Sequence, residues 1–145
     1  MRFMILVKAT RDSEAGVMPP DTLFAEMGKY HEELQKAGML VDASGLKPSS
    51  QGWRIQYDGA KRSFVDGPFA ETKELVAGYT IIQAKSRDEA IEWTRRFPNP
   101  AVDGGKCEIE VRPFYELEDF AQSKEIERFR KLEKADFRYN KRSEP

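Results

Sequence analysis

The chain contains one cysteine and one histidine in 145 residues. Cys107 alone cannot form an intramolecular disulfide, and together with His31 it is too little for a zinc ribbon or a histidine-rich metal site. No metal and no cofactor are expected. Long apolar runs are also missing: nothing approaches the ~20 residues that a membrane-spanning helix needs. The apolar stretch from Phe3 to Val7 is too short for a secretory leader, is followed by Lys8 and Arg11, and has no small-residue cleavage site. Charge of one sign is lacking as well. The 24 Lys and Arg residues against 25 Asp and Glu leave a formal net charge of −1, without the global attraction to nucleic acid of a basic chain. A phosphate loop is absent, since residues 102–106 lack the glycine spacing and the Lys-Ser or Lys-Thr ending. These absences lead us to expect a cytoplasmic protein with no membrane contact and no direct nucleic-acid binding.

What is present fits one core. At this length a chain buries about two-thirds of its unfolded surface, and 39% hydrophobic against 34% charged residues is a workable balance. Arg2 to Lys8 is apolar with polar ends, the pattern of a central strand covered on both faces. Pro19-Pro20-Asp21-Thr22 starts a helix whose apolar positions Leu23, Met27, Tyr30, Leu34 and Ala37 recur at helical spacing until Gly38 ends it. The residues between the first strand and this helix read as a polar loop. A strand follows over residues 39–45. Trp53, Ile55 and Tyr57 then alternate with polar residues, Asp58-Gly59 makes a hairpin turn, and Arg62 to Val65 returns as the second arm. Residues 76–84 hold another strand, Ser86 and Glu89 cap a helix bearing Ala90, Trp93, Thr94 and Phe97, and Cys107, Ile109 and Val111 alternate with charged residues in a last strand.

This order predicts an α+β, ferredoxin-like sandwich with an inserted β-hairpin. Its helices cover one sheet face, yet the first strand is apolar on both, so a symmetric second copy should cover the other: a homodimer. We place the main domain at residues 1–117 and a charged C-terminal segment at 118–145. Within that segment residues 120–135 suit a helix docked on the body or on a partner, with Glu127 four residues before Lys131, and residues 138–145 suit a solvated tail.

The densest chemistry lies in Asp66-Gly67-Pro68-Phe69-Ala70-Glu71-Thr72-Lys73-Glu74. A carboxylate at a Gly-Pro turn beside an aromatic ring could be partly desolvated and act as an acid or base, which makes Asp66 a candidate catalytic residue. The alternative is an aspartate that bonds backbone N–H groups across its turn. Phe69, Glu71 and Lys73 are candidate ligand contacts, against the alternative of a solvated turn worth about 0 to 1 kcal/mol in ion pairs. His31, at the edge of the helical stripe, is a candidate proton carrier or a boundary residue satisfied by a neighbouring carboxylate. Arg112 shares a strand face with Glu108 and Glu110 and could hold an anionic group through two parallel bonds, or simply be exposed. Cys107 fits a small apolar residue better than a nucleophile.

The 66–74 segment closely resembles the signature of YCII-related proteins of the DGPF type, a bacterial family without one settled reaction. Further matching pieces, in the same order, are residues 30–40, Gly45-Leu46-Lys47-Pro48-Ser49, Gly78-Tyr79, Asp88 to Trp93, and Glu110-Val111-Arg112-Pro113. The resemblance implies a subunit of the dimeric α/β-barrel type whose paired sheets enclose a cleft, and it adds Tyr79 to the ligand contacts. In the wider group a histidine and aspartate pair is proposed as a catalytic dyad, which suggests His31 and Asp66; aligning the first helix on Gly38 puts the family histidine near Met27 instead. Lys47 also departs from the histidine that many relatives carry there. Three readings are open: a homodimer binding a small polar ligand in its cleft, with or without acid-base catalysis; a non-catalytic regulatory or interaction module associated with a sigma factor; or a structural dimer whose 66–74 segment only closes the hairpin.

Overall fold

The computed structural model of the protein describes residues 1–134. Contacts divide the chain into two units, Met1–Pro113 and Phe114–Pro145. In the first, β1 (Arg2–Lys8), α1 (Arg11–Glu14), α2 (Asp21–Lys36), β2 (Leu40–Gly45), β3 (Trp53–Asp58), β4 (Lys61–Asp66), β5 (Val76–Gln83), α3 (Arg87–Arg95) and β6 (Ile109–Pro113) follow in order. Four strands make an antiparallel sheet in the order β2-β5-β1-β6, while β3 and β4 form a separate two-stranded ribbon. With α2 after β1 and α3 after β5, this is the ferredoxin-like α+β arrangement, and the ribbon is inserted between β2 and β5.

The apolar pattern explains the strand order. β1 lies between β5 and β6; Phe3 and Ile5 are buried on one of its faces, while Met4 and Leu6 are half-buried on the other. Phe3, Ile5 and Ile82 meet Tyr30 and Leu34 of α2 and Ala90 of α3 in the core. Each large apolar side chain buried there contributes about 1.5–3 kcal/mol. Leu23, Tyr30 and Leu34 are the buried positions of α2 and lie on one stripe. Ala37, counted on that stripe in the sequence, is exposed because it is already the C-cap of the helix. Asp21 in the first turn and Lys36 in the last each sit at the end of the helix dipole that suits their charge.

Two local features differ from the sequence reading. The loop after β1 contains the short helix α1, held by a reciprocal cap in which Ser13 N–H donates to Thr10 Oγ1 at 3.2 Å and Thr10 N–H to Ser13 Oγ at 2.8 Å. Four residues carry no apolar period, so nothing in the pattern announced it. The last strand starts at Ile109 rather than Cys107. Cys107 is half-buried and its Sγ donates to Asn99 Oδ1 at 3.0 Å, while Asn99 Nδ2 donates to the carbonyls of Gly104 and Gly105. Asn99 thus holds the loop closed up to Cys107, two residues before pairing with β1 begins at Ile109.

The hairpin forms where the sequence places it, one residue on from the Asp58-Gly59 turn expected: Asp58 still pairs, opposite Lys61, and the two-residue turn is Gly59-Ala60 with Gly59 at φ +60°. That backbone conformation favours glycine and matches the twist of the ribbon. In the second unit, α4 (Lys124–Lys134) follows a 3-10 turn at Leu117–Asp119. Glu127 pairs with Arg130 at 3.0 Å, one residue nearer than the Lys131 suggested by spacing, and Arg128 pairs with Glu125 at 3.3 Å. The proposed tail at 138–145 lies outside the described residues. Among those residues no helix is long and apolar enough to cross a membrane, and no three His, Cys, Asp or Glu side chains are grouped to hold a metal ion.

Candidate functional site

A cavity of about 440 Å³ opens between α2 and the sheet. Its walls are apolar: Phe24 and Met27 from α2, Phe97 and Pro100 from the segment after α3, and Val7 from β1. Ala43, Gly45, Ala77 and Gly78 supply small residues from β2 and β5. Gly28, inside α2, also lines it, and a Cβ at Gly28 would meet nothing within 4 Å. Packing therefore does not require glycine there, although glycine in a helix interior costs about 1 kcal/mol relative to alanine. The missing side chain leaves the helix wall open.

His31 and Thr80 supply the polar centre of this space. His31 Nε2 lies 2.8 Å from Thr80 Oγ1, and His31 Nδ1 lies 2.7 Å from the carbonyl oxygen of Met27, one turn back on the same helix. The His31 ring meets the Tyr30 and Phe97 rings edge-on, with centroids 5.6 and 6.1 Å away. Thr80 is 2% exposed. Behind them the Tyr30 hydroxyl donates to the Trp93 carbonyl at 2.8 Å, and burial pushes its pKa up to about 12. Tyr79 is among the residues that line the cavity, but by strand alternation its side chain lies on the other sheet face with Leu6 and Ile81, where its hydroxyl donates to Asp42 Oδ2 at 3.0 Å, a bond that raises its pKa above the ordinary tyrosine value.

The Asp66 segment forms a second centre. Gly67 and Pro68 are joined by a cis peptide bond, and Gly67 N–H donates to the Gly52 carbonyl at 2.9 Å. The backbone of Ser49 passes so close that a Cβ on Gly67 would overlap the Ser49 carbonyl. Ser49 ties three segments together. Its N–H and Oγ–H donate to the two oxygens of Glu14 at 3.0 and 2.5 Å, and its Oγ accepts the Phe69 N–H at 3.1 Å. The Arg54 guanidinium covers the Phe69 ring at 3.8 Å, a cation–π contact. Asp66 is exposed at the end of β4, opposite Trp53. Glu71 and Lys73 line a separate open depression with Ala70, Thr72 and Glu74.

Arg112 belongs to a third place. By strand alternation it shares the sheet face away from the helices with Glu110, Lys8, Met4, Leu6 and Ile81. It pairs with Glu110 at 3.4 Å, and Lys8 lies 3.9 Å from the same carboxylate.

The candidate residues are thus distributed: His31 borders the cavity, Asp66 and Phe69 belong to the turn, Glu71 and Lys73 to the depression beyond it, and Arg112 and the Tyr79 side chain to the sheet face away from α2 and α3. Asp66 is not among the residues that line the cavity with His31. Thr80 and Gly28 escaped the sequence reading. The signal available for Thr80 was a hydroxyl on the strand face it shares with Gly78 and Ile82, among residues otherwise destined for the core.

The chain resembles known proteins weakly in sequence. The uncharacterized protein R00369 of Rhizobium meliloti (strain 1021) is 26% identical over 95 residues, covering 66% of this chain and 77% of the relative. Among solved structures, the 5-chloro-2-hydroxyhydroquinone dehydrochlorinase TftG from Burkholderia phenoliruptrix AC1100, in complex with 2,5-dihydroxybenzoquinone, aligns with a TM-score of 0.44 at 16% identity, covering 79% of this chain and 94% of that one. The family model of the YCII-related domain matches residues 1–115, the whole span from β1 through β6. The chain belongs to the YCII-related domain family.

Proposed function

We propose that the protein binds a small molecule with an apolar body and one hydrogen-bonding end in the cavity between α2 and the sheet, with His31 and Thr80 at that end. The observation that carries this reading is an open volume of about 440 Å³ walled by apolar side chains, with a histidine–threonine pair within it. Small-molecule sites share its volume range and its combination of apolar walls with few polar groups. Glycine at position 28 points the same way, since α2 gives up helix stability where a side chain would have had room.

This reading differs from a polar ligand held between paired sheets: the cavity lies on the helix side of the sheet, and its lining is mainly apolar. The test is an NMR titration of the full chain with phenol, following the Met27 methyl and the Gly28 amide. We expect saturable shifts at both, and their loss in Gly28→Leu at unchanged fold. Shifts confined to residues outside the cavity would overturn the proposal.

We also propose that the chain is a homodimer paired through the open sheet face. Half-buried Met4, Leu6 and Ile81 support this, because they lie on the sheet face that α2 and α3 do not cover.

A further inference from the structure

The hydrogen bonds of His31 determine which kind of polar group the cavity accepts. A backbone carbonyl only accepts, so the 2.7 Å contact with Met27 oxygen requires the proton on Nδ1. In the neutral ring Nε2 is then a lone pair. It sits 2.8 Å from Thr80 Oγ1, so the Thr80 hydroxyl must donate its single proton to His31. What Thr80 has left for the cavity is the remaining lone-pair capacity of its oxygen.

We infer that Thr80 Oγ1 acts as an acceptor in the cavity and that the ligand's polar end is a hydrogen-bond donor, an O–H or N–H carried on an apolar, ring-sized body. This inference rests on the cavity reading above and deepens it. His31 is the positioning residue: it does not need to touch the ligand, because it fixes the direction of the Thr80 hydroxyl. The surroundings keep the arrangement in place. Tyr30 and Phe97 hold the imidazole edge-on, and Thr80 is 2% exposed, so bulk water does not replace Nε2 as its partner. A ligand ending in an ether or ketone would set lone pairs against lone pairs, and burying that end without a partner would cost it most of the gain from its apolar body.

The test compares phenol with anisole, which has the same ring and an oxygen that cannot donate. Binding is read from NMR titrations at the Met27 methyl and the Gly28 amide of the full chain, at an alkaline pH where the imidazole nitrogen shifts of His31 report a neutral ring. Those shifts should show the proton on Nδ1. Phenol should bind about tenfold more tightly than anisole, the preference expected of one paired buried hydrogen bond, even though anisole is the more apolar molecule. Thr80→Ser should keep that ratio and Thr80→Val should bring it to about one. Equal affinities in the unaltered protein, with both probes shifting cavity residues, would overturn the inference and leave the cavity reading standing; no shift from either probe would overturn both. A proton found on Nε2 would also overturn the inference. The unaltered protein and Thr80→Ser decide the matter if Thr80→Val does not fold.

Discussion

His31 Nε2 and Thr80 Oγ1, 2.8 Å apart, join the middle of α2 to the buried face of β5 across 49 residues of sequence. The bond sits where helix and sheet would otherwise be held by apolar contact alone. Replacing Thr80 by Val keeps the volume but leaves Nε2 facing a methyl group. We expect a loss of about 1–3 kcal/mol, the cost of a buried polar atom without its partner. Urea denaturation measures it, and a midpoint unchanged from the parent would mean that water reaches Nε2 freely.

Glycine-to-alanine substitutions at positions 28 and 67 should act in opposite directions. At Gly28 a methyl group has open space and the helix gains propensity, so Gly28→Ala should stabilise the protein by about 1 kcal/mol. At Gly67 the added carbon would overlap the Ser49 carbonyl and force apart the segment that Ser49 bonds to Glu14 and Phe69. There the expected cost is about 1–3 kcal/mol or more, as for overpacking elsewhere. Thermal melts of the two variants side by side check both signs.

Alkaline stability should depend on Tyr30. Its folded pKa of about 12, raised chiefly by burial, exceeds the ordinary tyrosine value near 10. Below pH 10 both the folded and the unfolded chain hold the proton, and the stabilising effect is complete. Between pH 10 and about 12 the unfolded chain loses its proton first, so stability falls as pH rises through that window. Tyr30→Phe should flatten this fall, while costing about 1 kcal/mol at neutral pH for the lost bond to the Trp93 carbonyl. Denaturation midpoints from pH 8 to 12 test it; identical slopes in parent and variant would contradict the assignment.

Pairing through the open sheet face predicts a particle of about twice the 16.7 kDa chain mass in sedimentation. Leu6→Glu places a charge in the centre of that face, beside Tyr79 on β5 and Glu110 on β6. A desolvated, unpaired carboxylate there should shift the particle to a monomer while circular dichroism stays the same. A parent protein that sediments as a monomer at every concentration would remove this proposal.

Elements with a sustained period were legible in the chain. The doubly apolar β1, the stripe of Leu23, Tyr30 and Leu34, and the Asp58-Gly59 turn each carry a local pattern that folding has no reason to override. The short helix α1 was not legible, because it is made by two side-chain caps rather than by apolar spacing. For the site, Asp66, Glu71 and Lys73 stand out in the sequence because density of ionisable groups is a local property. The cavity is a non-local product: Met27, Gly28 and His31 face Gly78 and Thr80 only after β5 has paired beside β1. His31 could be placed at the edge of the helical stripe from spacing alone. Its partner could not, since a single threonine in an apolar strand gives no sign of what will stand opposite.

Where a small ring-shaped ligand binds decides between the cavity and the 66–74 segment. Intermolecular NOEs between phenol ring protons and the labelled protein measure this directly. Contacts are expected to the Met27 methyl, the Phe97 ring and the Thr80 methyl, with none to Phe69 or the Lys73 side chain. Contacts to the 66–74 segment without any to Met27 and Phe97 would contradict the cavity reading.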